Sequence, residues 1–543
     1  MMRNQSNTRA PRAAPQAPGR DPRLRALAFI VPALFFVKAA VLGLRIVPRW
    51  DVPDETAHFD YARDLWSGRG IARIGEAKID ADIATDLFKR PTGPVDNWTA
   101  HHPPTYYVLA GAAWKAATLV TQDENWLFRA PRLVSAFFGA LTIFFIYKIV
   151  HSVGLGEASA VAVAGGFAAV PTFAWMSSGT NHDTMVAALG TASAWQFSDF
   201  MLSRRARSAW LSVLLMSFAA ATKITAVPVL AALVGCLALE ARASDGALGW
   251  LVRVAAWSAA GLALPAVWLV RSQLLYGAPF ALFPSVMGAF VRMGKPLQIG
   301  LLGFLETTTQ MEDIFVNFVG RIGWIGKAAG RHTWFPIQAP YLTVYEIVGL
   351  LLTALAAVWT VRGIRLALDG RAGLTEPTSL LGRLQPRLPR AARNAWIALV
   401  ATSIAAAAVL SPRIVSSATA SWLLVPLVAL CIGLVLLGLC VVVVPSDAPR
   451  RLALYAALVC GFLGVILLLQ GHSAYVLDGE MHFAHGRYLY PVLGFLVCGT
   501  VMPALFALGR LAERAASTAA VVIWLAYAAL MLNVAVPYAL GRP

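Results

Sequence analysis

The sequence predicts an all-α polytopic integral membrane protein, with about 13 transmembrane helices and further helices in the loops of its outer face. Of the 543 residues, 58% are hydrophobic and only 13% are charged, whereas about a quarter of a typical soluble domain is charged. The apolar residues are concentrated in repeated runs, many of which approach the roughly 20 residues that a helix needs to cross a bilayer. Composition and run length together predict the fold class.

Fourteen apolar segments are candidates for crossing the membrane. They lie near residues 24–47, 105–121, 130–151, 158–178, 184–202, 208–222, 224–241, 249–272, 343–362, 394–411, 419–445, 451–471, 488–509 and 515–537. The first segment is too long for the core of a signal peptide and has no clear small-residue cleavage site, so we interpret it as a retained span.

The basic connectors predict the orientation, because cytoplasmic loops are enriched in Lys and Arg. The basic, Pro-rich tail 1–23 is expected to be disordered and cytoplasmic. If segment 105–121 crossed the membrane, the arginine-rich connectors 203–208 and 362–393 would both lie outside. If it does not cross, every basic cluster lies inside. We therefore interpret segment 105–121 as a helix in the outer interface, which leaves about 13 spans.

This map divides the chain into four parts. They are the tail 1–23, a transmembrane module 24–362 with outer loops 48–129 and 273–342, a basic cytoplasmic loop 363–393, and C-terminal transmembrane helices 394–543. Most of the polar residues that could carry chemistry fall on the outer face. The cytoplasmic segments are basic connectors.

Charge and cysteine content argue against two other classes of function. Much of the net charge of +17 lies in short connectors, as the positive-inside rule predicts, so we expect no nucleic-acid partner. The five cysteines lie inside or at the ends of apolar runs, and no C-x-x-C motif occurs. We interpret them as packing residues rather than disulfides or metal ligands.

An unusual acidic stretch, WDVPDETAHFDYARDL (50–65), directly follows the first apolar run. One interpretation is structural: Asp51 caps a helix that begins at Pro53, and Asp54 and Glu55 interact favourably with the helix dipole. The local sequence does not decide between this structural interpretation and a chemical one.

The chemical interpretation starts from the spacing of Asp54 and His58, which are four residues apart and share a helix face. A carboxylate beside an imidazole at the membrane surface can act as a general base on an acceptor hydroxyl or amine. The same two side chains could also supply the first ligands of a divalent cation. Two residues do not specify a metal.

Several motifs in order resemble the GT-C superfamily of membrane glycosyltransferases. They are PDETAHFDYARDLWSGRGIARIG (53–75), HHPPTYYVLAGAAWK (101–115), FRAPRLVSAFFGALTIFFIYKI (128–149), PTFAWMSSGTNHDTM (171–185), ATKITAVPVL (221–230), VGRIGWIG (319–326) and HGRYLYPVLG (485–494). The order and spacing are similar to those of bacterial members such as the protein O-mannosyltransferases, the lipid A aminoarabinose transferase and the P-D-E-x-x-H-F group.

The resemblance implies an inverting enzyme that takes a sugar from a polyprenyl-phosphate carrier and passes it to an envelope acceptor, either a lipid, a glycan or a protein. It places this enzyme among the lipids of a bacterial inner membrane, with its active face periplasmic or extracellular. It implies Asp54 as the catalytic base with Glu55 as its partner. Arg487 and Lys223 are the candidates for holding the carrier phosphate. The structural alternatives are a snorkelling residue at a span end for Arg487 and a hairpin tip for Lys223.

Further residues are candidates for the substrate site. They are His58, His101, His102, Asp183 and Tyr488. The alternative role of Asp183, or of Asn181, is to cap the next helix. No cofactor is indicated other than a divalent cation, Mg or Mn, for which Asp54 and His58 are the candidate ligands. Trp98, Trp126, Trp324 and Trp334 are interpreted as residues of the membrane interface.

The main alternative function is a polytopic transporter or flippase of a lipid-linked glycan. Transporters often show internal repeats and ionisable or broken helices near the middle of the membrane. Here the two halves show no convincing repeat, and the ionisable residues cluster at one face. This distribution favours chemistry on a lipid-linked substrate.

Overall fold

A computed structural model describes residues 22–241, 246–277, 448–478 and 486–508, together with positions 303, 304, 355 and 358. Its α-helices are α1 (Pro22–Val41), α2 (Glu55–Trp66), α3 (Ala81–Phe88), α4 (Thr105–Thr118), α5 (Glu124–Arg129), α6 (Arg132–Ser152), α7 (Glu157–Ala168), α8 (Pro171–Met176), α9 (Asp183–Ser203), α10 (Ala206–Ala220), α11 (Val227–Glu240), α12 (Gly246–Tyr276), α13 (Ala448–Asp478), α14 (Leu493–Leu496) and α15 (Met502–Leu508). Short 3₁₀ turns occupy Ile224–Ala226 and Gly486–Val492, and π-helical turns occupy Leu42–Ile46 and Val497–Val501. Two short strands, β1 (Lys78–Ile79) and β2 (Val95–Asp96), pair antiparallel.

Five helical stretches in the described part of the chain are long and apolar enough, by length and composition, to cross a membrane. They are Ala26–Ile46, Glu124–Ser152, Leu248–Tyr276, Ala448–His472 and Gly486–Leu508. Three shorter apolar helices are Glu157–Ala168, Ala206–Ala220 and Ile224–Glu240. These helices indicate a membrane protein, as the composition predicts.

Several predicted segments lie outside the described residues. They are nearly all of the tail 1–23, most of the outer loop 273–342, the loop 363–393, and the spans near 343–362 (apart from positions 355 and 358), 394–411, 419–445 and 515–537. The predicted total of about 13 spans therefore remains a prediction.

Helix α4 covers the segment that we predicted to lie in the outer interface. It has 14 residues, which corresponds to about 21 Å of helix, whereas the hydrocarbon core of a bilayer is about 30 Å thick. It is absent from the five stretches long enough to cross, and the apolar residues Leu119 and Val120 just beyond its end are 81% and 88% exposed. Helices α10 and α11, within predicted spans, are similarly short at 15 and 14 residues, so the interfacial position of α4 remains a prediction.

Helix α9 is the central element of the described bundle. It packs against α6, α10 and the 486–492 turn, and most of its residues are buried. Small residues permit the closest contact: a Cβ atom added at Gly190 would lie 2.3 Å from the carbonyl oxygen of Pro491. The C-terminal segment can therefore approach α9 closely enough to bring Arg487 beside the start of that helix.

The region between α1 and α6 forms a compact outer layer. Nine of the 12 residues of α2 are buried, so this helix is an interior element in spite of its charge. Arg63 binds both Asp60 and Asp80, and Arg69 donates to both oxygens of Asp80, at 2.9 and 3.0 Å. These ion pairs compensate the charges that α2 carries into the layer.

Another group of charged contacts lies at the C-terminal end of α9. Glu240, at the end of α11, contacts Arg204 at 2.5 Å and Arg451 at 3.0 Å, and accepts a hydrogen bond from Tyr455 at 3.0 Å. The 21 residues of α9 correspond to about 31 Å of helix, so the two ends of this helix are separated by about the thickness of a bilayer core.

Candidate active site

The acidic stretch does not start its helix in the way the structural interpretation predicted. Helix α2 begins at Glu55, and Asp54 before it has a φ of 61° with no capping hydrogen bond from its side chain. Asp51 accepts a hydrogen bond from the Trp175 indole at 3.0 Å instead of capping, and Pro53 precedes the helix. The predicted cap at Asp51 and helix start at Pro53 are wrong. The left-handed backbone of Asp54 is rare outside glycine.

The Asp54 carboxylate lies between an indole and a guanidinium. Trp98 donates its indole N–H to Oδ1 at 2.9 Å, and Arg487 donates to Oδ2 at 2.6 Å. The Asp54 side chain is 27% exposed, while that of Arg487 is only 8% exposed. Asp54 is therefore the part of this contact that a substrate can reach. Trp98 thus has a defined polar partner, and its predicted interfacial position remains a prediction.

Arg487 connects Asp54 to a second carboxylate. One of its terminal nitrogens lies 3.8 Å from Asp183 Oδ2 and 3.5 Å from the carbonyl oxygen of Pro53. Asp183 also accepts a hydrogen bond from Lys223 at 2.6 Å. These two carboxylates and two cations form one continuous cluster, which we call the charged cluster.

Both cations of the charged cluster approach the same aromatic ring. The Lys223 ammonium lies 4.7 Å from the centroid of the Tyr488 ring, and the Arg487 guanidinium lies 5.7 Å from it. Contacts of this kind contribute on the order of 0.5–2 kcal/mol. Lys223 is only 4% exposed, so it is neither a solvated hairpin tip nor a freely moving side chain.

The charges of the cluster set the ionisation of Asp54. Burial alone would raise the pKa of this carboxyl, but the positive charge of Arg487 and the hydrogen bonds from Arg487 and Trp98 hold its pKa below the usual range. Asp54 is therefore ionised at neutral pH, as a proton acceptor must be.

Glu55 belongs to a different set of contacts. Both of its oxygens are bound by Arg132, at 2.8 and 2.7 Å, and Oε1 also accepts the backbone N–H of Thr180 at 2.8 Å. Arg132 donates its remaining protons to the carbonyl oxygens of Gly43, Val47 and Pro48. All five N–H groups of this buried guanidinium are thus used. The geometry favours Glu55 as an anchor between α1, α2 and α6; its predicted catalytic role remains a prediction.

Asp183 does not cap α9, whereas Asn181 does. The side-chain oxygen of Asn181 accepts the backbone N–H groups of Asp183 and Thr184, at 3.1 and 3.4 Å. The Asp183 carboxylate is left to bind Lys223 and Arg487. Of the two predicted alternatives, the capping role belongs to Asn181 and the charged contact to Asp183.

The predicted histidines lie beside the charged cluster and are joined there by His182. Ring centroids are 4.6 Å apart for His58 and His182, 4.2 Å for His102 and His182, and 3.9 Å for His101 and His102. Burial lowers the pKa of His58 to about 3 and that of His101 to about 4. It lowers the pKa values of His102 and His182 well below the usual range for imidazole. All four rings are neutral at physiological pH.

The residues for the predicted cation do not converge on a metal-binding geometry. Among the described residues, no group of three or more His, Cys, Asp or Glu side chains is arranged to hold a metal ion. Both oxygens of Asp54 already bind Trp98 and Arg487, and the proximal nitrogen of His58 bonds with the Tyr107 hydroxyl at 2.8 Å. A divalent cation at Asp54 and His58 remains a prediction.

Sequence analysis missed three residues that complete the site: Trp98 as a partner of Asp54, Arg132 as a partner of Glu55, and His182. Arg132 does carry a detectable signal, because an arginine at the start of a membrane-length apolar run requires a partner or an interfacial position. His182 stands in a short polar segment between apolar runs, where a histidine most often makes only local hydrogen bonds.

Comparisons with protein families and with curated proteins find no match. Among solved structures, this chain is similar to ArnT from Cupriavidus metallidurans, in its crystal structure bound to undecaprenyl phosphate. The sequence identity is 16%, the match covers 88% of this chain and 77% of that chain, and the TM-score is 0.36. Because this TM-score is too low to establish a common fold, we argue function from the side-chain geometry and the sequence motifs.

Proposed function

We propose that the protein is a membrane glycosyltransferase that moves a sugar from a polyprenyl-phosphate carrier to an envelope acceptor. The acceptor supplies a hydroxyl or amine and belongs to a lipid, a glycan or a protein. The reaction takes place at the outer face of a bacterial inner membrane, where the orientation predicted from the basic connectors puts the charged cluster. The motifs that resemble GT-C enzymes support the same reaction.

The observation that carries this proposal is the contact between Asp54 and Arg487. The two residues are 433 positions apart in the chain, and their side chains meet at 2.6 Å. The contact puts a proton acceptor, a partly buried guanidinium and, through Asp183, an ammonium within one cluster at the end of a bundle of apolar helices. A transferase that uses a lipid phosphate needs these three groups together.

Lys223 and Arg487 are suited to the phosphate of the carrier. Arginine binds phosphate through two parallel hydrogen bonds, whereas lysine acts as a point charge. In the structure the two cations are paired with Asp183 and Asp54. Phosphate oxygens would replace the carboxylate of Asp54 on Arg487, and this exchange releases Asp54 Oδ2 for chemistry.

The transfer then follows as a single displacement. The acceptor oxygen or nitrogen attacks the anomeric carbon of the sugar, and its proton passes to Asp54 Oδ2. The bond between the anomeric carbon and the phosphate oxygen breaks, and the carrier leaves as polyprenyl phosphate. Lys223 and Arg487 stabilise the negative charge that develops on the leaving oxygen. One displacement inverts the anomeric configuration.

Binding of decaprenyl phosphate to the purified full-length protein tests the phosphate site. We expect Lys223→Met and Arg487→Gln each to weaken binding at least about tenfold, equivalent to about 1.4 kcal/mol. Lys115→Met is the matched control, because Lys115 is an exposed lysine on α4 outside the charged cluster, and it should leave binding unchanged.

Thermal unfolding in detergent, measured for each variant, separates loss of binding from loss of folding. The proposal is contradicted if the wild-type protein does not bind decaprenyl phosphate. It is also contradicted if folded Lys223→Met and Arg487→Gln variants bind it as well as the Lys115→Met control does. Transfer measured with and without EDTA tests the predicted divalent cation separately.

A further inference from the structure

His58, His102 and His182 form a group that the charged cluster does not use, and we call it the imidazole cluster. Their side chains come from α2, from the segment before α4 and from the segment before α9, and they are 1%, 7% and 2% exposed. Adjacent ring centroids are 4.2 and 4.6 Å apart, and those of His58 and His102 are 6.3 Å apart. Three separate parts of the chain thus bring their imidazole rings together in the interior.

Most of the polar atoms in the imidazole cluster have no partner. Within the described residues, His58 Nε2, His102 Nδ1 and both ring nitrogens of His182 are buried without a hydrogen bond. A buried polar atom without a partner is costly, and native proteins leave few of them. Four unsatisfied atoms on three touching rings indicate a surface that a polar ligand completes.

One of the two ring nitrogens of His58 already has a partner. Nδ1 bonds with the Tyr107 hydroxyl at 2.8 Å, whereas Nε2 is buried without a hydrogen bond to the described residues. Nε2 is therefore the atom of this ring that remains for a ligand, as a donor or as an acceptor.

The chemistry of these rings selects the ligand class. A neutral imidazole offers one donor and one acceptor, so the imidazole cluster matches groups that both donate and accept. A phosphate has mainly acceptor oxygens and can satisfy only the donor half of such a surface. Hydroxyl groups on adjacent ring carbons satisfy such a surface, because each hydroxyl is both a donor and an acceptor.

The position of the imidazole cluster agrees with this class. His58 lies one helical turn after Asp54, and His182 directly precedes Asp183 in the chain. A sugar joined to a phosphate on Lys223 and Arg487 would have its ring next to the phosphate, and therefore next to these histidines.

We propose that the imidazole cluster is the subsite for the hydroxyl groups of a sugar ring, separate from the phosphate subsite formed by Lys223 and Arg487. This inference rests on the proposed transferase function and assigns its sugar recognition to His58, His102 and His182. The sugar is either the one carried by the donor or a sugar of a glycan acceptor.

The test compares two probes, decaprenyl phosphate and a set of decaprenyl-phosphate sugars that includes pentoses and hexoses. If the cluster binds the donor sugar, the wild-type protein should bind at least one sugar conjugate about tenfold more tightly than decaprenyl phosphate. His182→Phe should remove that preference, because it keeps the size of the ring and loses both nitrogens. It should leave the affinity for decaprenyl phosphate within about twofold of wild type.

His151→Phe is the matched control. His151 lies near the opposite end of α6 and its side chain is 45% exposed, so this variant should keep the sugar preference. If His182→Phe fails to fold, two variants of His58 provide the second test. His58→Gln should retain part of the sugar preference, because its amide places one polar group near the position of Nε2. His58→Phe should retain none of the preference.

A second measurement, of KM for the donor and for the acceptor, shows which of the two substrates carries the bound sugar. If the imidazole cluster binds the donor sugar, His182→Phe raises the KM for the donor and not that for the acceptor. If it binds an acceptor glycan, the decaprenyl-phosphate sugars show no preference over decaprenyl phosphate, and His182→Phe raises the KM for the acceptor alone.

The inference is overturned if folded His182→Phe and His58→Phe leave sugar preference and both KM values unchanged, even though decaprenyl phosphate still binds. A wild-type protein that binds no decaprenyl phosphate would instead contradict the proposed function itself. The two failures are therefore distinguishable in one set of measurements.

Discussion

Asp54 and Glu55 are neighbours in the chain, and their side chains make entirely different contacts. The left-handed backbone at Asp54 directs its carboxylate toward Trp98 and Arg487, where it is partly exposed. The Glu55 carboxylate lies in the interior, with both oxygens bound by Arg132. A pair of acidic residues that looks like one functional unit in sequence therefore has one partly exposed carboxylate beside Arg487 and one buried carboxylate bound by Arg132.

Substituting Glu55 tests this division at the level of a single residue. Glu55→Gln leaves the buried Arg132 guanidinium without a compensating charge, and breaking a buried ion pair in this way costs about 3–5 kcal/mol. We expect a clear fall in the thermal unfolding temperature of the purified protein. Asp54→Asn, at a partly exposed carboxylate, should change that temperature much less.

The opposite pattern would contradict the division of roles. A Glu55→Gln protein with wild-type thermal stability and no transfer activity would make Glu55 a catalytic residue, as the sequence resemblance implies.

At the scale of elements, the site depends on how closely the 486–492 turn approaches α9. The carbonyl oxygen of Pro491 occupies the space that a side chain at Gly190 would need. Arg487 lies on the same turn, four residues earlier. The distance between Arg487 and Asp183 is thus set by packing rather than by any charged residue.

Gly190→Ala tests this packing. The added methyl group must displace the backbone at Pro491, so we expect affinity for decaprenyl phosphate to fall about tenfold or more as Arg487 moves from Asp183. Gly464→Ala is the control, because a Cβ at Gly464 meets no atom within 4 Å and alanine favours the helix by about 0.5–1 kcal/mol. Equal affinities in the two variants would show that the close approach does not position Arg487.

Sequence could predict the members of the charged cluster better than their partners. Asp54, Lys223 and Arg487 each stand beside an apolar run, which is a local signal that can be read directly. Their partners depend on contacts between elements: Arg132 and Glu55 are 77 positions apart, and Lys223 and Asp183 are 40 apart. No local pattern states which carboxylate a given cation binds, and the convergence of three histidines depends on the packing of α2, α4 and α9.

At the scale of the whole molecule, the buried neutral histidines make stability depend on pH. The pKa of His58 falls from 6.5 to about 3 and that of His101 to about 4 on folding, and those of His102 and His182 fall well below 6.5. Between about pH 6.5 and 4 the unfolded chain therefore binds more protons than the folded protein. The free energy of unfolding then falls as pH is lowered, by up to about 1.4 kcal/mol per pH unit for each histidine.

Thermal unfolding in detergent at pH 7.5 and pH 5 measures this dependence. We expect a markedly lower unfolding temperature at pH 5, and a shallower pH dependence in His182→Phe, which removes one of the four groups. His151→Phe is the control and should keep the wild-type dependence, because His151 is not one of these four buried histidines. An unfolding temperature that does not change between these pH values would contradict the buried, neutral state of the imidazoles.

The two ends of α9 carry different sets of charged contacts. The charged cluster lies at the start of α9, and the contacts of Glu240 with Arg204 and Arg451 lie at its other end. The proposed site is at the first end, while the second end joins helices near the basic connectors. This arrangement suits an enzyme that acts on a lipid-borne substrate at one surface.

The central claim is that Asp54 is the base in a sugar transfer from a polyprenyl-phosphate carrier. The most direct measurement incubates the purified full-length protein and its Asp54→Asn variant with radiolabelled decaprenyl-phosphate sugars and envelope extract, and follows label entering a glycolipid, glycan or protein. We predict transfer from at least one donor by the wild-type protein, and a decrease of at least about a hundredfold in folded Asp54→Asn, the size expected for loss of a general base. Undiminished transfer by Asp54→Asn, or no transfer from any donor by the wild-type protein, would contradict the account.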